Sequence, residues 1–362
     1  MSPEPRRVAV LVHDHLGPFT CKTAIALIRY GQDRVVVAVD RSKGPGDASA
    51  HIGSVGEGIP VVRSMAEAVD LRPEAVVFGW APEGGGLPAH DREELLLALR
   101  SGLDVVSGLH EFLGDDPGLR AAAEEGGATI TDLRRPPRRR RLMDGSVAGK
   151  TAPVVLVTGT DCSTGKMTVA VEMAREARRR GLDAAFVATG QSGMLVGCDA
   201  GAPVDAITGD FMAGEVEAMV TEVDARRPDL IIVEGQGALS HPAYGAVALA
   251  IHQGCWPDAM VMCHDPAREH YKAFDHLPLK PHIPHLGGEI ALAERVLLNT
   301  SMGEVAAVAL MTRTQDPAVE ERAAEEIRDT MSLPAANVLR EGPGVILDAV
   351  LEHLGIEGGD GG

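Results

Sequence analysis

The chain runs to 362 residues, 45% of them hydrophobic and 24% charged, enough apolar content for a sizeable core and too much for global disorder. Lys+Arg 34 against Asp+Glu 52 leaves a formal charge of −18, which argues against a broad nucleic-acid or membrane surface, and aromatics at 3% leave few platforms for base stacking. At about 150 residues per domain, the length suggests two domains or one large α/β unit with an appendage.

In chain order, strands are expected at residues 7–12, 34–40, 75–80, 104–107 and 128–132, where short β-branched runs recur. Helical patterns fall between them at residues 22–30, 64–68, 91–101 and near 121–125. The opening run is too short for a signal-peptide core and reads as the first strand. Alternation of this kind predicts βαβ units and a parallel sheet. Asp40 closes the second strand, where a dinucleotide fold places its ribose-binding acid. The turn after the first strand is His13-Asp14-His15-Leu16-Gly17-Pro18, without G-x-G-x-x-G, so a nicotinamide cofactor is not expected.

Six arginines then occupy the eight positions from Arg134 to Arg141, around Pro136 and Pro137. In an acidic chain this is either a nucleic-acid or phosphate patch or an exposed interdomain linker, stiffened by proline and solvated by charge; the linker is the expectation. From Ala152 the α/β pattern restarts, with strands at 154–158, 184–188, 230–233, 259–263 and 305–311. Helices are expected at 165–180, 214–223 and 345–354. Residues 235–257 carry no Asp, Glu, Lys or Arg, but Gln236, His241, Pro242, His252 and four glycines would be costly in lipid, so the segment reads as buried α/β core and no membrane contact is expected. Cys21, Cys162, Cys198, Cys255 and Cys263 are odd in number and form no C-x-x-C pair, so the expected setting is a reducing cytoplasm.

One segment carries chemistry. The strand ending at Thr158 runs into Gly159-Thr160-Asp161-Cys162-Ser163-Thr164-Gly165, then Lys166-Met167-Thr168 and a helix. A strand, a glycine-bounded loop, Gly-Lys and a helix are what a phosphate-binding loop requires, because backbone N–H groups and the helix start face an anion and the lysine adds a charge. Five residues rather than four separate Gly159 from Gly165, and Met167 stands where a Mg²⁺-binding hydroxyl usually follows the lysine, leaving Thr168 to supply it. Glu234, at the end of an apolar strand, is the expected acid beside such a loop, holding Mg²⁺ if a Mg-nucleotide binds. The alternative is that Glu234 merely caps the next turn. Gln191 and Ser192, in the polar glycine-flanked stretch after the strand at 184–188, are candidates for substrate contact, and Asp210 is a looser one.

Seven histidines, His241, His252, His264, His270, His276, His282 and His285, fall within 45 residues. No His/Cys spacing of a zinc site accompanies them, so proton transfer by His241 or His264 is preferred to a metal centre.

The stretches GTDCSTGKMT, FVATGQSGMLVG and VEGQGALSHPAYGAVALAIHQGCWPDAMVMCH, with KTAIALIRYG, GWAPEGGGLP and GLDVVSGLHEFLGDD nearer the start, resemble a bacterial family long described as a domain of unknown function. The resemblance covers nearly the whole chain. It implies an α/β architecture: a Rossmann-like domain over residues 1–133, the Arg/Pro linker at 134–149, and a P-loop NTPase-like domain over 150–362. The loop is similar to that of dethiobiotin synthetase, including its G-T-D start. Characterised members of the family are DgcN-type D-glutamate N-acetyltransferases working with a dipeptide-epimerase-like partner. The resemblance therefore implies acetyl-CoA as donor and a D-amino acid as acceptor, with the coenzyme A diphosphate resting on Gly159–Thr168.

Two enzyme readings follow. In acyl transfer, Glu234 or His241 is the base, backbone donors come from the Gly190 or Gly235 loops, and Lys22, Arg268 or Lys272 meets an acidic substrate. In the alternative, a kinase or carboxylate–amine ligase binds ATP and Mg²⁺ through Lys166, Thr168 and Glu234. A non-enzymatic nucleotide-binding regulator is the third possibility. A homo-oligomer is compatible with either enzyme.

Overall fold

The computed structural model describes residues 4–297, 300–301, 303–312 and 316–357, with the side chain of Glu83 left aside. Its strands form two seven-stranded sheets. The chain divides into two compact units, Met1–Arg135 with Met194–Gly197, and Pro136–Gly193 with Cys198–Gly362.

In the first unit the strands are β1 (Arg7–Leu11), β2 (Arg34–Val39), β3 (Gly46–Asp47), β4 (Pro60–Val62), β5 (Ala75–Phe78), β6 (Asp104–Ser107) and β7 (Ile130–Asp132). Their order is β3-β4-β2-β1-β5-β6-β7, parallel except where β3 meets β4. Apolar side chains leave both faces of the central strands: Ala9, Leu11, Val37 and Val39 enter one core, Val8, Val10, Val35 and Ala38 the other. That two-sided burial is why these strands read as continuous Val/Ala runs rather than alternating ones. The helix Lys22–Tyr30 begins and ends where the apolar periodicity puts it, and the helix Pro117–Gly126 is capped by Asp116, which accepts from the N–H groups of Gly118 and Leu119, and closes on Gly127 at φ 68.

The second unit holds β8 (Val154–Gly159), β9 (Ala184–Ala188), β10 (Ala200–Gly201), β11 (Leu230–Glu234), β12 (Ala259–His264), β13 (Glu304–Leu310) and β14 (Ala335–Ala336). The order β10-β9-β11-β8-β12-β13-β14 is parallel throughout. Every residue of β8 is buried, and its neighbours β11 and β12 bring the ends at Glu234 and His264 to either side of it. Consecutive elements therefore deliver their polar termini to one carboxyl edge, the usual seat of a ligand in such sheets.

Most of the charge-free segment 235–257 is core: the helix Gly245–Cys255 lies within it, with Val247, Ile251, His252 and Cys255 buried, while Pro242, Ala243 and Tyr244 before that helix are exposed. No helix among the described residues is long and apolar enough to cross a membrane. Its periodicity gave no helix in advance, because small and apolar residues surround it on most sides. The helices Leu286–Arg295 and Pro317–Met331 were likewise not expected.

The arginine run needs a correction at its start. Arg134 is buried, its Nε donates to the Gly108 carbonyl at 2.7 Å, and burial pulls its pKa down to about 10. Arg135 bonds Asp115 at 2.9 Å and Asp132 at 3.2 Å while its guanidinium lies 4.4 Å from the Phe112 ring. Arg134 closes the first unit instead of being solvated as a linker, because a carbonyl is there to receive it; Arg135 is exposed, though tied to two carboxylates, and Arg138, Arg139 and Arg140 are exposed as expected.

Candidate functional site

The loop after β8 is shaped by its own strand and by β12. A Cβ on Gly159 would stand 2.7 Å from Thr164 Oγ1 and 3.0 Å from the Cys263 carbonyl, so only glycine lets the loop fold this close. Gly165 combines φ +90 with a hypothetical Cβ 2.7 Å from Met311 Cγ, and Ser163 also has positive φ. Thr160 donates its N–H to the Cys263 carbonyl at 3.0 Å, and its hydroxyl lies 3.1 Å from His264 Nδ1. The helix Lys166–Arg179 starts directly at the lysine, with Met167 and Thr168 half-buried in its first turn. Lys166 is buried: its Nζ donates to the Asp161 carbonyl at 2.6 Å and lies 3.4 Å from Thr164 Oγ1, and desolvation lowers its pKa.

Asp161 frames the loop. One carboxylate oxygen accepts the Cys162 N–H at 2.6 Å, and the other accepts Arg268 Nη1 at 2.8 Å and the Lys272 N–H at 3.2 Å. Arg268 also donates to the Cys162 carbonyl at 2.7 Å and to Asp265 at 3.2 Å. Its guanidinium thus belongs to the loop's frame and is not an open cation for an acidic substrate.

His241 lies beside this frame, with Nε2 3.5 Å from Asp161 Oδ1 and its ring against Tyr244 and Tyr271 at 4.7 and 4.6 Å. Its Nδ1 accepts the N–H groups of Ala243 and Tyr244 at 3.1 and 3.2 Å. That assigns the neutral ring's proton to Nε2, directed at Asp161, so His241 presents a donor and no lone pair. Asp161, Cys162 and His241 are the one group among the described residues with three such ligand atoms in reach of a single metal ion. The tautomer does not suit metal ligation. His264 is held neutral, its pKa pushed down to about 4 by burial and then by Arg268 and His285.

Glu234 ends β11, opposite Val157 of β8. Its Oε2 accepts the N–H groups of Thr189 and Gly190 at 3.2 and 3.4 Å, and the Thr189 hydroxyl donates to its carbonyl at 2.8 Å. A Cβ on Gly193 would fall 2.3 Å from this carboxylate oxygen, so the chain is closed tightly over it. Burial raises the Glu234 pKa to about 7 against the opposing pull of the two N–H groups and the Lys166 charge. Gln191 and Ser192 open the short helix Gln191–Val196 one residue beyond Gly190. Of the expected backbone donors, Gly190 N–H already points at Glu234 and Gly235 N–H pairs with Val157 at 3.0 Å. Lys22 is exposed at the start of its helix in the first unit.

Sequence reasoning missed a second polar chain near the loop. The Ser240 and Tyr271 hydroxyls lie 2.5 Å apart, and beside Ser240 is the buried Glu289, whose pKa is raised by desolvation against the pull of that hydroxyl. Ser240 carries no motif, and the helix that holds Glu289 in its first turn was itself not expected, so nothing in the pattern marked them.

Two family models match the chain. Residues 141–347 fit the P-loop domain of a domain of unknown function (DUF1611_C), and residues 42–136 fit its Rossmann-like partner (DUF1611_N). A D-glutamate N-acetyltransferase of Tritonibacter scottomollicae is 36% identical over 79% of this chain and 84% of its own length. The chain belongs to this family of N-acyltransferases. Another member, the D-glutamate N-acetyltransferase of a Pseudoalteromonas species, is 30% identical over 80% of this chain and 84% of its own. The crystal structure of a DUF1611 family protein from Anabaena variabilis superposes with a TM-score of 0.88 at 33% identity, covering 96% of this chain and 99% of that one. The family architecture, a Rossmann-like half followed by a P-loop half, is the one the two sheets display.

Proposed function

We propose that the protein moves an acetyl group from acetyl-CoA to the amino group of a D-amino acid such as D-glutamate. The observation that carries the reading is the buried Lys166 at the mouth of a glycine-bounded loop, in a chain 36% identical to a D-glutamate N-acetyltransferase. Acetyl-CoA brings an activated thioester and an anionic diphosphate. The donor set fits such an anion. Positive φ at Ser163 and Gly165 is the backbone form that gathers N–H groups around negative charge. The first-turn N–H groups of the following helix have no intrahelical partner. Residues Gly159 to Thr168 would hold the diphosphate, and Lys166 would exchange its bond to the Asp161 carbonyl for one to a phosphate oxygen.

Glu234 is the base of this reading, because a carboxyl at about 7 both takes and returns a proton near neutrality. The acceptor amine gives one proton to Glu234 as its nitrogen forms the new N–C bond. The C–S bond breaks, and the thiolate leaving takes that proton back. His241 and His264 do not share the base role: the first shows a donor to the site, and the second, its pKa pushed down to about 4 by burial, is too weak a base. Gln191 and Ser192, next to Gly190, are the proposed contacts to the acceptor's carboxylates. Five cysteines without disulfide partners agree with the proposed cytoplasmic setting. The resemblance adds an epimerase-like enzyme as the partner in D-amino-acid catabolism.

One observation favours a second reading, ATP- and Mg²⁺-dependent activation: the Lys166 charge reaches Glu234, one strand away, so Thr168 and Glu234 are the residues that would hold Mg²⁺. The deciding experiment supplies D-glutamate with either acetyl-CoA or ATP·Mg²⁺ and follows free thiol and phosphate. Thiol release that needs the amino acid is the expected result; amino-acid-dependent phosphate release reverses the choice.

A further inference from the structure

The first sheet has a carboxyl edge that acyl transfer leaves unused. Its strand order reverses between β1 and β5, the position at which open α/β sheets collect ligands. His13, Asp14 and His15 leave β1 there, Trp80 follows β5, and the helix Ala89–Arg100 adds His90 and Asp91. His15 stacks on Trp80 with ring centroids 3.6 Å apart, and His13 and His90 are 5.9 Å apart.

Most charges on this edge are matched. Asp40 accepts the N–H groups of Asp14, Leu16 and Ser42 and the Ser42 hydroxyl. Asp14 binds Arg41, and Glu94 accepts the Met65 N–H at 2.6 Å with His13 Nε2 3.4 Å away. Asp91 differs. It is fully buried, neither carboxylate oxygen has a hydrogen-bond partner, and His90 Nε2, 3.5 Å away, lacks one too, as does Trp80 Nε1. A lone buried carboxylate needs a proton or a cation, and burial pushes Asp91 up to about 6, so at neutral pH the proton is lost and the demand for a cation remains.

We propose that this edge binds a small organic primary ammonium ion, with Asp91 accepting its N–H groups and the His15–Trp80 stack walling its carbon stem. The class follows from the chemistry present. Phosphate is opposed by Asp14, Asp91 and Glu94, and the glycine loop that follows β5, Gly84-Gly85-Gly86, carries no lysine. A metal ion needs converging ligand atoms, which among the described residues only the Asp161 group offers. A buried carboxylate without a hydrogen-bond partner, on the same edge as a stacked pair of aromatic rings, suits an ammonium group. The site stands independently of the acetyl-transfer reading.

The chain has two tryptophans, so in a Trp256→Phe background Trp80 reports alone. That protein is titrated with n-butylammonium chloride and, as a neutral isostere, with butanol, while Trp80 emission is read. A saturable change with the amine and none with butanol is expected, weakened about tenfold or more by Asp91→Asn. Affinity should also fall below about pH 6, as Asp91 takes up its proton among His13, His90, Arg41, Asp14 and Glu94. Equal responses to amine and alcohol, or amine binding indifferent to acidification in the parent protein, overturn the proposal even if Asp91→Asn does not fold.

Discussion

At the carboxyl edge of the first sheet, β1 hands over to a His-Asp-His turn that Asp40 pins down by accepting its N–H groups at 3.1 and 2.9 Å. At the same edge of the second sheet, β8 hands over to a loop whose backbone carbonyl at Asp161 grips a buried lysine at 2.6 Å. Both edges belong to parallel sheets whose central strands are buried on both faces, so the scaffold does not distinguish them. The residues after the strand do. In the first unit Asp40 consumes the turn's N–H groups while Asp91 stays buried without a hydrogen-bond partner; in the second, a carboxylate and an arginine frame a loop that holds a buried lysine. On the readings proposed above, the sign of the ligand follows from the turn and its location from the strand order.

The strongest way to break that contrast is to remove the cation from the second edge. Lys166→Met keeps the stem that fills the buried slot but lacks the ammonium group, and acetyl transfer should fall about a thousandfold, comparable with losing a transition-state donor. Unchanged far-UV circular dichroism together with full turnover would show that the anion sits elsewhere. Next in size is Glu234→Gln, with a loss of about a hundredfold in kcat/KM and disappearance of the rise in activity through pH 7. The same variant sharpens the argument through stability. The unfolded carboxyl titrates near 4.5 and the native one near 7, so the unfolded state sheds its proton first and wild-type stability declines over that interval, by about 3 kcal/mol. Without that decline, Glu234→Gln should melt higher than wild type above pH 7 and no higher at pH 4, as calorimetry can measure.

A smaller effect is expected from the first edge. Burial opposes ionisation of Asp40, but the Ser42 hydroxyl and the N–H groups of Leu16, Ser42 and Asp14 outweigh it and hold the carboxyl below its ordinary value. Its contribution is therefore present at neutral pH and lost as pH falls through the native pKa, below 3.8. Asp40→Ala should cost about 2 kcal/mol in urea denaturation at pH 7. Wild-type stability there would mean the turn is held by something other than this carboxylate. The smallest expected effect is Arg134→Ala, about 1 kcal/mol in the same measurement, through the lost bond to Gly108 and the lost packing of the stem.

Much of this contrast was legible in the sequence. The β-branched runs of β8 and β11 announced buried parallel strands, and the spacing of Gly159, Gly165 and Lys166 announced the loop, because strand burial and glycine turns depend on local residues. The absence of G-x-G-x-x-G after β1 matches a turn built on Asp40 acceptors. What stayed hidden depends on partners far along the chain. Arg134 reads as one solvated arginine among six until Gly108 offers its carbonyl, and Arg268 reads as a substrate cation until Asp161 claims it. His241 qualifies as a base by residue type alone, and only the two N–H groups on its Nδ1 remove it. Ser240, Tyr271 and Glu289 become a network only in three dimensions, since no spacing rule connects residues on three separate segments.

The contacts that shape the lysine loop also set when it can take shape during synthesis. Thr160 meets His264 across 104 positions of chain, and Asp161 meets Arg268 across 107. A ribosome releases the glycine-bounded turn long before these partners leave the exit tunnel, and parallel strands offer no local hairpin to hold it meanwhile. On nascent protein the loop thus waits for β12 and Arg268 before its frame can close, and truncated chains ending before β12 should emerge without that frame.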